Sequence, residues 1–248
     1  MTPERRPDFD ARARDYDTLR PPDDAWWARF EALVELGALR GQRILDVGCG
    51  TGRLAAALAT EARAKVWGVD GSEEMVSIAR ATVPAGVGIR QAMADSLPFR
   101  DSWFDRVTMS LVIHLVDRGA ALAEARRVVA AAGRAAIATF HEDHFETYWL
   151  CPYFPSIRDI DRARFPTQSA LEADLVTAGF PRVETRRIVA ETTLTRAEAL
   201  RRIAGRHIST FDLLPVEEIE EGEARAGRDL PAEIVIRLDQ LVIVGRSA

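Results

Sequence analysis

The sequence has a single lysine, Lys65, only two cysteines, and no uninterrupted apolar run of the roughly 18 residues that a membrane-spanning helix needs. Each scarcity removes a class of protein. Cys49 and Cys151 are too few for a disulfide framework and lack the spacing of a metal-binding pair, so free thiols in a reducing compartment are expected. The charged start Met1-Thr2-Pro3-Glu4-Arg5-Arg6-Pro7-Asp8 contains no apolar leader stretch, which disfavours secretion and points to the cytoplasm. With 33 basic and 38 acidic residues the formal charge is −5, and the arginines sit among acids instead of forming a tract. That balance lacks the electrostatic footprint a phosphate backbone requires, so neither nucleic acid nor a membrane is an expected partner.

What is present is 248 residues, 47% of them hydrophobic, enough for one large elaborated unit. Short apolar runs alternate with helical patterns. Strands are expected at Arg43–Val47, Lys65–Val69, Gly88–Ala92, Phe104–Met109 and Ala135–Phe140, with helices over 52–61, 72–81 and 117–131 between them. Ahead of these, Asp23 and Asp24 precede aromatics and aliphatics at helical spacing and predict a helix reaching Val34. Such alternation means parallel strands joined by crossover helices, an α/β doubly wound, Rossmann-like sheet. Beyond Phe140 the pattern loosens, and Tyr148–Pro155 reads as irregular or short-helical cover. Ser169-Ala170-Leu171-Glu172 and Thr195-Arg196-Ala197-Glu198 read as capping boxes opening helices that end near Gly179 and Gly205. The remaining strands are expected at Arg182–Ala190 and Gln240–Arg246, and no repeat or linker divides the chain.

The chemistry concentrates at Ile44-Leu45-Asp46-Val47-Gly48-Cys49-Gly50-Thr51-Gly52-Arg53, where a strand hands over to a helix. Glycines there let the backbone turn tightly and approach a ligand, and the helix N-terminus offers unpaired N–H groups. A bare glycine turn needs no ligand, so the acids around it matter. Asp70 closes the second strand and is placed to accept hydrogen bonds from ribose hydroxyls. Asp95, after the third strand, is placed to accept from a purine amino group. Gly48-x-Gly50 also begins a dinucleotide fingerprint, but Arg53 stands where its third glycine belongs, and the lone Lys65 leaves no Tyr-x-x-x-Lys dyad. A nicotinamide-dependent oxidoreductase is therefore disfavoured.

On these residues the sequence resembles the class I S-adenosylmethionine-dependent methyltransferases of the type 11 group, which includes ubiquinone/menaquinone-biosynthesis-type enzymes. The likeness is strongest over 42–140 and weaker toward the C-terminus. It implies S-adenosyl-L-methionine as cofactor and a mostly parallel seven-stranded sheet with an antiparallel last strand, which Gln240–Arg246 would supply. In such a protein Asp46, Gly48, Cys49, Gly50 and Gly52 cradle the methionine part, and Asp70 holds the ribose with Gly71 and Met75 beside it. Ala94, Asp95, Ser96 and Leu97 surround the adenine, and Ser110 begins the floor beneath the sulfonium. Tyr16-Asp17-Thr18-Leu19-Arg20-Pro21 matches a lid motif in which Tyr16 closes over the cofactor and Arg20 pairs with its carboxylate. The resemblance implies one methyltransferase domain over 1–248: lid helices in 1–41, a cofactor-binding half in 42–140, and substrate cover with the last two strands in 141–248.

Methyl transfer is an in-line displacement at an activated carbon, so alignment and exclusion of water dominate and a base is optional. His114, just past the fourth strand, is the catalytic candidate; packing within the helix-entry loop is the competing reading. His141 and His144, with Glu142 and Asp143, read as a polar loop at the mouth, and no metal is expected. Members that methylate nucleic-acid amino groups carry an Asn/Asp-Pro-Pro-aromatic motif after the fourth strand. Here Ser110-Leu111-Val112-Ile113 has no proline, which points to a small-molecule acceptor. Trp149, Tyr153 and Phe154, within Phe145–Phe154, either wall an apolar acceptor site or simply pack. Arg186-Arg187 and Arg201-Arg202 alternate with acids and read as solvated surface. A catalytically silent cofactor-binding regulator is the competing non-enzymatic reading.

Overall fold

Where a ligand can enter follows from how the strands pair. In the computed structural model, which describes residues 7–248, seven strands form one sheet. They are β1 (Arg43–Val47), β2 (Lys65–Asp70), β3 (Gly88–Gln91), β4 (Phe104–Ser110), β5 (Val129–Phe140), β6 (Arg182–Thr195) and β7 (Glu233–Arg246). The order is β3-β2-β1-β4-β5-β7-β6, and only β7 runs against its neighbours. The strand order reverses beside β1, flanked by β2 and β4, so a crevice opens at the carboxyl ends of these strands. The charged stretch Met1–Arg6 lies outside the described residues. Among the described residues no helix is long and apolar enough to cross a membrane.

The helices are α1 (Phe9–Arg12), α2 (Tyr16–Leu19), α3 (Asp24–Gly37), α4 (Arg53–Thr60), α5 (Glu73–Thr82), α6 (Arg118–Val128), α7 (Ser156–Arg164), α8 (Gln168–Thr177), α9 (Arg196–Ala204) and α10 (Val216–Asp229). Several begin where a short polar side chain satisfies an orphan N–H. Asp23 accepts from Trp26 N–H at 2.9 Å, Ser72 from Met75 N–H at 3.1 Å, and Asp117 from Ala120 N–H at 2.9 Å. Alternate strand residues feed two cores: Ile44, Val66, Val242 and Val244 pack with α3 and α4 residues such as Leu33 and Leu58, while Leu45, Val107, Leu241 and Ile243 pack with Leu122 and Leu171 on the other face. A third cluster, including Leu150, Phe154, Ile203, Phe211 and Ile236, forms the interior of the cover over the strand ends.

Five boundaries depart from the sequence reading. The helix expected to reach 131 ends at Val128, and β5 begins at Val129 instead of Ala135, because Val129 pairs with Phe104 before the register shifts. Ser169 lies inside α8; Thr167 is its cap, accepting from Ala170 N–H at 3.2 Å. The capping box at Thr195 and Glu198 forms as expected. β6 and β7 are much longer than predicted, since beyond the Phe140–Gln240 pair they continue as a two-stranded ribbon from Ile188–Gln240 to Thr195–Glu233. That ribbon reaches past the end of β5 and helps to roof the crevice.

Candidate active site

The loop after β1 is shaped for a ligand. Gly48 and Gly50 have φ of 70° and 53°, values that L side chains rarely adopt. A Cβ on Gly48 would lie 2.4 Å from the Val112 side chain, whereas one on Gly50 would meet nothing within 4 Å. So Gly48 is required by packing, and Gly50 presents bare backbone to open space. Asp70 stiffens the loop from β2: its two oxygens accept Gly50 N–H at 2.8 Å and Ser72 N–H at 2.9 Å. Burial raises its pKa despite these bonds.

The loop borders a cavity of about 260 Å³, lined by three buried charged residues, Asp46, Arg29 and Asp161. Asp46 is 1% exposed; its Oδ1 accepts from Thr108 Oγ1 at 2.8 Å, and its Oδ2 has no partner. Burial, and then the nearby Asp70 charge, raises its pKa to about 7. Arg29, on α3, is 8% exposed and makes no hydrogen bond or ion pair among the described residues. Desolvation lowers its pKa to about 10. A buried guanidinium without a partner is costly. A free carboxylate oxygen and a free guanidinium lining one cavity complement a zwitterion, the form of an amino-acid end such as that of S-adenosylmethionine.

The N-terminal segment is latched across this cavity. Asp17 accepts from the Arg53 guanidinium and from Thr51 Oγ1, the latter at 3.0 Å, while Arg53 also donates to the Arg20 carbonyl at 2.6 Å. The arginine that replaces a dinucleotide glycine is thus the tie between loop and lid. Arg20 lies over the Tyr16 ring, 4.3 Å from its centroid, and donates to the His207 carbonyl. Asp10 accepts from Ser72 Oγ at 2.5 Å and from Glu74 N–H at 3.2 Å, fastening α1 to the start of α5.

Part of the cavity lining is aromatic. His114 stacks on Phe165 at 3.8 Å and 16°, and His144 stacks on Phe140 at 4.2 Å and 11°. Burial holds both imidazoles neutral, lowering His114 to about 3, with Arg164 and Arg20 adding to the effect, and His144 to about 4. His114 Nδ1 and Gln240 Oε1 are buried without partners. Asp161 accepts from Thr210 Oγ1 at 2.6 Å and pairs with Arg164 at 3.4 Å; burial raises its pKa to about 6. Beside the cavity, donor atoms of His141, Asp143 and Asp239 come within 4.8 Å of one another, but the Arg187 guanidinium already binds Asp143 at 2.7 Å and Asp239 at 2.6 Å.

Residues 45–137 match the family model of a methyltransferase domain. The chain thus contains a region similar to methyltransferase domains. It is 38% identical over 144 residues to a ubiquinone/menaquinone biosynthesis C-methyltransferase, UbiE, of Geotalea uraniireducens, covering 53% of this chain and 61% of that protein. Over 120 residues it is 38% identical to the O-methyltransferase cnsE of Penicillium expansum, covering 46% of this chain and 44% of that one. The chain thus spans less than two thirds of these curated relatives. Among solved structures it resembles a protein of Anabaena variabilis provisionally assigned to antibiotic biosynthesis as a methyltransferase, with a TM-score of 0.73 at 24% identity, covering 90% of this chain and 98% of that one. That likeness concerns the fold.

The fold brings Tyr16, Arg20, Asp46, Gly48, Cys49, Gly50, Ser110 and His114 to the lining of one cavity. Gly52 adjoins it, with a Cβ barred by Val83 at 2.6 Å. Asp70, Gly71, Met75 and the 94–97 loop lie outside this wall, at the carboxyl ends of β2 and β3. Ala94, Leu97 and Met75 are buried, while Asp95 and Ser96 are exposed. Burial, then the charges of Asp46 and Asp70, raises the Cys49 thiol far above its ordinary range. Trp149 lines the cavity, but Tyr153 and Phe154 pack within the cover. Arg202 is corrected from solvated surface to cavity wall, where α9 turns it toward Asp23. Sequence reasoning missed Arg29, although an arginine one turn beyond Trp26 on an apolar helix face was a visible signal. It also missed Gln240, whose place depends on the β5–β7 register.

Proposed function

We propose that this methyltransferase moves a methyl group from S-adenosyl-L-methionine to a small-molecule acceptor held in the same cavity. The carrying observation is that one cavity is lined both by Asp46 and Arg29, which complement a zwitterion, and by the rings of Phe140, Phe145 and Phe165. When bound, the cofactor supplies a methyl group on a sulfonium, activated for in-line displacement. Asp46 receives the ammonium and Arg29 the carboxylate, with Arg20 close by; Gly50 offers the open backbone face. Asp70 receives ribose hydroxyls on its remaining lone pairs, and Asp95 meets the adenine, with Gly71, Met75, Ala94, Ser96 and Leu97 framing them. Ser110 and Leu111 lie beneath the reacting centre. The lid of 1–41 and the cover of 141–248 exclude water, which is the chain's main contribution to rate.

His114 is positioned for the acceptor, but an imidazole titrating near 3 is a weak base at neutral pH, so its contribution is mainly orientation. A cytoplasmic location agrees with the free, buried cysteines. The test pairs calorimetry against S-adenosylmethionine, its demethylated product and a nicotinamide dinucleotide with methyl transfer to an acceptor panel, cofactor hydrolysis subtracted. Binding of the first two and turnover of an acceptor are expected. Binding without turnover across the panel would favour the silent regulator, and dinucleotide binding alone would refute the assignment.

A further inference from the structure

The sheet ends in a long strand with one side bare. Among the described residues β6 has β7 on one side and no strand on the other, and no backbone hydrogen bond from another element reaches 183–194. Such an edge presents a row of unpaired N–H and C=O groups, and chains commonly blunt it with proline, a bulge or a short length. β6 has none of these. It runs for 14 residues without a proline and keeps its register with β7 from Arg182 to Thr195. Half of its residues are β-branched, which suits a pleated surface.

The two faces of the outer ribbon differ. Residues directly opposite on paired strands share a face. Thr192, Ile236, Leu238 and Gln240 line the cavity, so the even-numbered face is turned inward. The odd-numbered face carries Val189 and Val235, 49% and 63% exposed. An edge that meets a second copy of itself pairs antiparallel about a two-fold axis, and because side chains alternate, each residue then faces one of the same parity. Charge selects the centre. About Val189, Arg187 lies opposite the second copy's Glu191 in both directions, Thr185 opposite Thr193, and Val189 opposite itself. A centre at Ile188 puts Glu191 against Thr185, one at Ala190 puts it against Val189, and one at Arg187 sets like charges face to face. Arg187 already binds Asp143 and Asp239, yet its side chain is 38% exposed, and Glu191 is exposed as well.

We propose that the chain forms a two-fold dimer by antiparallel pairing of β6 with β6 of a second copy, centred on Val189, which joins the two sheets into one. The ribbon so braced is the one whose inward side chains line the cavity. This inference is independent of the methyl-transfer reading. The test combines sedimentation velocity across about 1–100 µM, the range in which a small interface associates, with oxidative cross-linking. The native chain should sediment as a dimer. Val189→Asp, which sets two carboxylates face to face at the axis, should sediment as a monomer with an unchanged circular dichroism spectrum. Opposite residues of an antiparallel pair stand about 4.5–5.5 Å apart, within disulfide reach, so Val189→Cys should link into a covalent dimer on oxidation, the native Cys49 and Cys151 being buried. Thr193→Cys should not link, because about eight residue steps, or ~26 Å, separate it from its copy. If Val189→Asp fails to fold, the two cysteine variants decide. A native chain that stays monomeric throughout, a Val189→Cys variant that does not link, a Thr193→Cys variant that links as readily, or native-like dimerisation of folded Val189→Asp overturns the proposal.

Discussion

Asp46→Asn separates the demands of folding from those of binding. The substitution keeps an oxygen to accept from Thr108 Oγ1 and removes a negative charge that nothing in the ligand-free fold neutralises. Asp46 titrates at about 7 in the fold against an ordinary 3.8, so the folded protein holds its proton more tightly than the unfolded chain does. Its contribution is therefore most favourable below the unfolded value and is lost as pH rises through 7. The interval spans about 3 pH units, which at about 1.4 kcal/mol each sets a ceiling of about 4 kcal/mol. The cavity is open to water, which reduces the expected gain of Asp46→Asn at pH 8 to about 2 kcal/mol, or about 4–8 °C in Tm for a chain of this size. On the proposed reading the same change removes the partner of the cofactor's ammonium and should weaken S-adenosylhomocysteine binding by about ten- to a hundredfold. Differential scanning fluorimetry at pH 5 and 8, with calorimetry at pH 8, reads both. A variant no more stable than the native protein at pH 8, or one with native affinity, would refute the reasoning.

The lid depends on Arg53, which ties Asp17 and the Arg20 carbonyl to the glycine loop. Arg53→Gln should raise amide hydrogen exchange in residues 9–20 while leaving the β-sheet protected; unchanged exchange there would show that the latch carries no load. His114 titrates at about 3 instead of 6.5, so below pH 6.5 the unfolded chain takes a proton the fold refuses, and stability falls with falling pH. His114→Phe keeps the stack on Phe165 and should gain up to about 2 kcal/mol relative to the native protein between pH 7 and pH 5, read by urea unfolding. A gap that does not vary with pH would mean that the imidazole is not held neutral by burial.

The sheet was legible because its signals are local. Apolar runs of strand length, the glycines after β1 and the acids closing β2 and following β3 are each set by neighbours in sequence, and the five central strands appear where the periodicity puts them, apart from the early start of β5 at Val129. The cover was less legible. Residues 148–155 carry no regular period, α7 begins at Ser156 without a side-chain cap, and the outer halves of β6 and β7 are strands only because they pair with each other. Arg53 illustrates the division. The sequence showed that an arginine there excludes a dinucleotide loop; only the folded chain, bringing Asp17 and Arg20 to it across more than thirty residues, gives it a partner. Sequence alone therefore determined the strand-and-loop frame of residues 42–140, because tight turns and strand ends are dictated by short-range sterics and hydrogen bonding. Tertiary structure decided the rest: which buried charges stay unpaired, as with Asp46 and Arg29, and which side chains distant in sequence, such as His144 and Gln240, line the same cavity. Desolvation and long-range pairing do not exist until the chain has closed around them.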